Sequence, residues 1–214
     1  MSSIQLLTLP PSPNNIKVRA ALGYLGLAFE ELPQRPDDRS ALIAASGQPL
    51  TPVMIKDGVG MFDSGAILRH LHTTTPGSTL FPQDPDSMRK LESWETSARY
   101  GVKESIGPMY WMFFGRIPAT AEAQASAASA LLADTAALEK TLAKRPFLLG
   151  DQPCAADFTW AGVLAYNVGL DTPRMTAAPF FENFKEFYTL SEEERPLVRA
   201  WVRNVLQYDA WIHG

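Results

Sequence analysis

The chain has one cysteine, Cys154, so no internal disulfide can staple it, and a reducing, cytoplasmic setting is the expectation. It has no basic excess. Lys and Arg number 19 against 23 Asp and Glu, giving a formal charge of −4 and a pI near 5.4, whereas nucleic-acid binding asks for a basic face. No apolar run approaches the roughly eighteen residues that a membrane-spanning helix needs. The N-terminus has no basic stretch before its short, proline-broken apolar run, so no signal peptide is expected. Metal-ligand groupings are missing as well: His70 and His72 sit two apart on an expected helix, face different ways and make no pair. Repeats and low-complexity tracts are absent apart from one Ala-rich segment. What is present is a hydrophobic content of 46% over 214 residues, ample for one large domain or two small ones.

Periodicity and turn residues divide that length. Ile4 to Leu9 reads as a strand, Asn14 to about Gly26 as a helix with Val18, Leu22 and Leu25 inward, and Ala28 to Leu32 as a second strand. A Pro- and charge-rich stretch then leads into a short helix. From Thr51 the chain reads as a strand entered through Pro52, an Asp57-Gly58 hairpin turn and a second short strand. Asp63-Ser64 then opens a helix with Ile67, Leu68 and Leu71 on one face. Residues 73 to 86, dense in Pro, Gly, Ser and Thr, read as a linker. Beyond it the pattern is helical: a long amphipathic helix over 86–115, an Ala-rich one over 119–144, then Cys154 to Gly169, a less regular piece, and 191 to about 207. Ser191 and Glu194 form a capping box for that last helix. The boundaries expected are 1–75 for the first domain, 76–86 for the linker and 87–214 for the helical domain.

The chemistry concentrates at two helix starts. Unpaired N–H groups and the positive dipole end at Ser64 can hold a carboxylate, and Asp63 beside it can hold an ammonium, a combination suited to an amino acid zwitterion. Ser12 and Asn14 open the first helix, where by residue type alone they read as a cap or a turn with Pro13. Lys17 and Arg19 read as solvated charges on that helix. The run Met109-Tyr110-Trp111-Met112-Phe113-Phe114 wraps more than a full turn, so part of it belongs to the core and part can face a cleft. Arg99, Tyr100 and Lys103, two or three turns earlier, can supply polar groups.

Thr51-Pro52-Val53 followed by Asp63-Ser64 resembles the thioredoxin-like N-terminal domain of the cytosolic glutathione transferases. The resemblance continues through Ser12 to Leu22, Gly150 to Asp157 and Pro196 to Trp201, four pieces in order over most of the chain. It implies an α/β thioredoxin-like N-terminal domain followed by an all-α C-terminal helical domain, with glutathione as co-substrate. Ser12 aligns with the hydroxyl that serves the sulfur in serine-type, bacterial-like members. Such a hydroxyl can donate a hydrogen bond that favours the thiolate, the nucleophilic form of a thiol near pKa 8.5, and Asn14 can assist it. Pro52 is expected to follow a cis peptide, leaving the Thr51 backbone as an open strand edge for the cysteinyl unit. Asp63 and Ser64 would take the γ-glutamyl end. Tyr110 would face a small hydrophobic electrophile.

Departures accompany the matches. Leu50 stands where relatives often carry Lys, Gln or Arg against the tripeptide. Cys154 begins a capping segment usually opened by Ser or Thr; a thiol is a poor cap acceptor, although Asp157 can still reach back to the Cys154 N–H. No cysteine lies near residue 12, which argues against thiol-exchanging branches, and the Ser-Ser-Cys run of the maleylacetoacetate-isomerising branch is absent. The resemblance implies a two-fold homodimer with no nucleic-acid or membrane partner. The expected activity is transfer of glutathione to a hydrophobic electrophile. The alternative is a non-catalytic binding or scaffold protein that keeps the fold.

Overall fold

The computed structural model describes residues 3–10, 12–170, 172–176 and 188–213. Strands β1 (Ile4–Thr8), β2 (Phe29–Pro33), β3 (Val53–Lys56) and β4 (Val59–Met61) form a mixed sheet in the order β2-β1-β3-β4. β1 and β2 are parallel, so a crossover must join them, and helix α1 (Pro13–Tyr24) supplies it. The other pairings are antiparallel, and β3 and β4 are closed by Asp57 and Gly58, both at positive φ (53° and 77°) as a two-residue turn of this hand requires. Helix α2 (Ser40–Ser46) ends on Gly47, and helix α3 (Ser64–Thr74) leads away from β4. This is the expected thioredoxin-like arrangement. Gly60 is dictated by packing: a Cβ there would sit 1.8 Å from the Ala45 carbonyl oxygen of α2.

The remaining described elements are helical: α4 (Pro85–Tyr100), α5 (Ile106–Phe113), α6 (Ala121–Leu142), α7 (Ala155–Leu164), α8 (Pro173–Thr176), α9 (Pro196–Leu206) and α10 (Ala210–His213), with 3-10 turns at Gly101–Lys103 and Ala165–Asn167. The single helix expected over 86–115 is therefore two. Pro108 explains the break. Its missing N–H is harmless only in a first turn, and the chain restarts at Ile106 so that Pro108 falls there. Ser191 and Glu194 do exchange the expected bonds, each N–H to the other's side chain at 3.1 Å. They close a turn rather than open the last helix. The residue before a proline is steered out of the helical region; Arg195 lies at φ −145°, ψ 61°, and α9 starts at Pro196. The less regular piece expected before residue 191 falls largely on 177–187, outside the described residues.

Helix α1 is packed on all sides, between the sheet and the helical part of the chain, with every residue from Asn15 to Leu22 buried. Lys17 and Arg19, read from the sequence as solvated, are accordingly 1% and 2% exposed. A one-sided amphipathic pattern predicts polar faces only where one face meets water, and α1 has no such face along these two turns. Arg19 is neutralised instead. Its Nε lies 3.0 Å from both oxygens of Asp209, Nη1 lies 3.1 Å from Glu31 Oε1, and the guanidinium sits 4.5 Å from the Trp211 ring centre. The α7 start holds a second buried centre. Asp157 accepts from the Cys154 N–H (2.8 Å), the Cys154 thiol (3.0 Å), the Leu148 N–H (2.9 Å) and Trp201 Nε1 (3.0 Å). Asp157 thus reaches back to Cys154 as expected, and burial pushes the Cys154 thiol far above its ordinary pKa.

Candidate functional site

The first turns of α1 and α3 converge beside α4, α5 and α7. Contact with α7 fixes the α1 end closely: a Cβ on Gly162 would lie 2.6 Å from the Pro13 carbonyl oxygen and 3.3 Å from the Lys17 nitrogen. At the α3 end Asp63 is the N-cap, and its Oδ1 accepts the Ala66 N–H at 3.0 Å. The neighbouring Ser64 is buried, and its hydroxyl donates to Asn14 Oδ1 at 3.2 Å. Two helix starts fifty positions apart in sequence are thereby tied side by side. The cleft at this junction has a volume of about 410 Å³. Its polar wall includes Asn14, Asp63, Ser64, Arg99, Lys103 and Thr159, and its apolar wall includes Val102, Ile106 and Val163.

Beneath the cleft runs a chain of charges. Buried Glu95 sits 3.6 Å from Lys17 Nζ and 3.8 Å from Arg99 Nη2, and its Oε1 accepts the Thr159 hydroxyl at 3.1 Å. Arg99 Nη1 in turn lies 3.7 Å from Asp63 Oδ2. Lys17 Nζ makes no hydrogen bond among the described residues. Burial pushes its pKa from 10.5 down to about 8; Glu95 and Asp63 pull it back up, and Arg99 adds to the fall.

Of the residues singled out in the sequence, the cleft brings together Asn14, Asp63, Ser64, Arg99, Tyr100 and Lys103. Ser12 stands one residue outside the wall, half-buried at the N-cap of α1, and its side chain makes no capping bond. The Thr51–Pro52 peptide is cis, with Pro52 buried and Thr51 half-buried just before β3. Leu50 is 70% exposed, and the Gln48 side chain clamps its backbone, accepting its N–H at 2.7 Å and donating to its carbonyl at 3.0 Å. Neither Leu50, Thr51 nor Pro52 lines this cleft. The aromatic run divides by face: Met109 and Met112 enter the core, whereas Trp111 and Phe114 turn outward. Tyr110 is also off the cleft wall, which takes Ile106 and Gly107 from the first turn of α5, and burial pushes its phenol well above the ordinary range.

The sequence reading missed Glu95 and Thr159 and misplaced Lys17. Glu95 and Arg99 carry the four-residue spacing of a helical ion pair, a signal that was legible. Thr159, between the apolar Phe158 and Trp160, gave none. Among the described residues no three His, Cys, Asp or Glu side chains are grouped to hold a metal ion, and no helix is long and apolar enough to cross a membrane.

Comparison with known proteins is consistent along the chain. Residues 6–79 match the family described as glutathione S-transferase, N-terminal domain, and residues 119–204 match glutathione S-transferase, C-terminal domain. A probable glutathione S-transferase of Nicotiana tabacum is 23% identical over 196 residues, covering 88% of this chain and 84% of the relative. A second, the probable glutathione S-transferase GSTU6 of Oryza sativa subsp. japonica, is 26% identical over 78% of this chain and 74% of its own length. In structure, a glutathione S-transferase from Rhodospirillum rubrum F11 superposes with a TM-score of 0.77 at 18% identity, covering 97% and 90% of the two chains. Ure2p in complex with glutathione gives 0.75 at 17%, covering 100% and 94%. At such identity the structural likeness speaks to fold.

Proposed function

The chain belongs to the glutathione S-transferase family, and on that premise we propose that it binds glutathione and transfers it to a small apolar electrophile. The observation that carries this reading is the Ser64–Asn14 hydrogen bond. It joins the helix start suited to an amino acid zwitterion to the helix start that presents Ser12. The γ-glutamyl end then lies at Asp63 and Ser64, the cysteinyl backbone runs along Thr51 before Pro52 and past Leu50, and the sulfur reaches Ser12 with Asn14 assisting. Residues 1–75 form the glutathione-binding unit, 76–86 the link and 87–214 the helical unit. Likeness to structures described as holding glutathione supports the ligand.

Chemically, the thiol gives its proton to solvent and the thiolate is held by the Ser12 O–H, which no capping bond occupies. The sulfur lone pair forms a bond to the electrophilic carbon, and the leaving group departs with its electron pair. Val102, Ile106 and Val163 offer that electrophile an apolar wall, and Tyr110 backs the α5 side. A two-fold homodimer is part of the proposal.

The test is a calorimetric titration with reduced glutathione, followed by ultraviolet titration of the bound thiol. Saturable binding of one tripeptide per chain is expected. A hydrogen bond to a charged acceptor contributes about 1.5–3 kcal/mol, so Ser12→Ala should raise the pKa of bound glutathione by about one to two units. Equal pKa values in the two proteins would remove Ser12 from the mechanism. No heat at millimolar glutathione, together with no thermal stabilisation, would instead favour the non-catalytic scaffold, a role in which the exposed Leu50 side chain is a natural contact.

A further inference from the structure

We infer that Arg99 is a specificity-determining residue of the cleft: from α4 it clamps the α-carboxylate of the ligand's terminal amino acid unit. The inference rests on the reading that the zwitterionic end of glutathione docks at Asp63 and Ser64.

Three observations carry it. The Arg99 guanidinium lies against the first turn of α3, so close that a Cβ on Gly65 would sit 2.3 Å from its Nη2. Gly65 is therefore the residue that admits the guanidinium. A cation at a helix N-terminus opposes the helix dipole, so this is a poor resting place unless an anion joins it. The anions already present fill that need weakly. Asp63 and Glu95 approach at 3.7 and 3.8 Å, and Arg99 makes no hydrogen bond among the described residues. Glu95 is moreover shared with buried Lys17 and with the Thr159 hydroxyl. Finally, the guanidinium is one-third exposed and forms part of the cleft wall, so its unused N–H fork faces space that a ligand can enter.

An α-amino acid carries its ammonium and carboxylate on one carbon, matching an Asp63 carboxylate and an Arg99 guanidinium 3.7 Å apart. The ligand ammonium takes Asp63 Oδ2, since Oδ1 is held by the Ala66 N–H. Arg99, losing Asp63, turns its fork to the ligand carboxylate, which a planar guanidinium can meet with two parallel bonds. The α3 N–H groups and Ser64 hold the same carboxylate from the other side.

The experiment compares two probes by calorimetry: glutathione and its analogue lacking only the α-carboxylate, 4-aminobutyryl-cysteinyl-glycine. Wild type should prefer glutathione by about 10- to 100-fold, the worth of charge-assisted bonds. Arg99→Met should lose most of that preference through weaker glutathione binding while holding the analogue as wild type does, which also reports an intact cleft. Gly65→Ala, which keeps every charge but displaces the guanidinium, should show the same loss. Wild-type preference retained in Arg99→Met would overturn the assignment and leave the glutathione reading standing. Wild type binding both probes equally would overturn the carboxylate subsite. Wild type binding neither would overturn both readings.

Discussion

Going from about pH 7 to about pH 9.5 should stabilise the wild-type protein relative to its Lys17→Met variant by about 2 kcal/mol. Lys17 is 1% exposed, lies 3.6 Å from Glu95 without a hydrogen bond among the described residues, and has its pKa pushed down by burial to about 8 from 10.5. Between those values the unfolded chain binds more protons than the folded one, so stability rises with pH. The full difference corresponds to about 3.5 kcal/mol at about 1.4 kcal/mol per unit, and a little over half of it is recovered by about pH 9.5. A wild-type curve alone would mix in an opposite trend. The buried Cys154 thiol is pushed up, so its proton leaves the unfolded chain first and stability falls above the ordinary thiol pKa. That slope is common to both proteins and cancels in the difference. The assay is urea unfolding followed by tryptophan fluorescence at half-unit pH steps, with the denaturant slope checked for constancy. Parallel curves for wild type and Lys17→Met would show that Lys17 ionises as it does in water, and the argument from burial would fail.

Gly162→Ala should destabilise by roughly 1–3 kcal/mol, because the added methyl meets backbone of α1 rather than a movable side chain; thermal melts measure the loss, and glutathione titration should show weakened binding as the α1 start shifts. Asp157→Asn replaces an acceptor of four donors by a group with one acceptor oxygen, and roughly 1–3 kcal/mol of stability should go with it in denaturant unfolding. Cys154 should resist thiol reagents in the native protein and react fully in denaturant, since the thiolate is the reactive form and burial suppresses it; rapid native labelling would contradict the packing around α7.

Turn chemistry and periodicity made much of the fold readable. Asp57-Gly58 announced the β3–β4 hairpin, and Asp63-Ser64 announced the start of α3, because both signals depend on residues adjacent in sequence. The α4–α5 break was equally local, written in Pro108, and was passed over for the longer amphipathic pattern. Lys17 and Arg19 were a different failure. Their burial depends on α7 and α10 closing over α1 from positions far downstream, which no window on α1 contains. The site divides along the same line. Asp63 and Ser64 were legible as a helix start, whereas their meeting with Asn14 and Arg99 is a product of packing between elements.

The Arg19–Asp209 bond spans 190 positions, and this sets a clock on the protein's maturation. At a synthesis rate of about 5–20 residues per second, roughly ten to forty seconds separate the emergence of the guanidinium from that of its two-oxygen partner. Glu31 is available early, 3.1 Å away in the finished molecule, but Asp209 and the Trp211 ring are not. Through that interval α1 cannot enter its buried berth without leaving part of a cation unanswered. Full neutralisation of Arg19 therefore waits for Asp209 and Trp211, which close over α1 from far downstream.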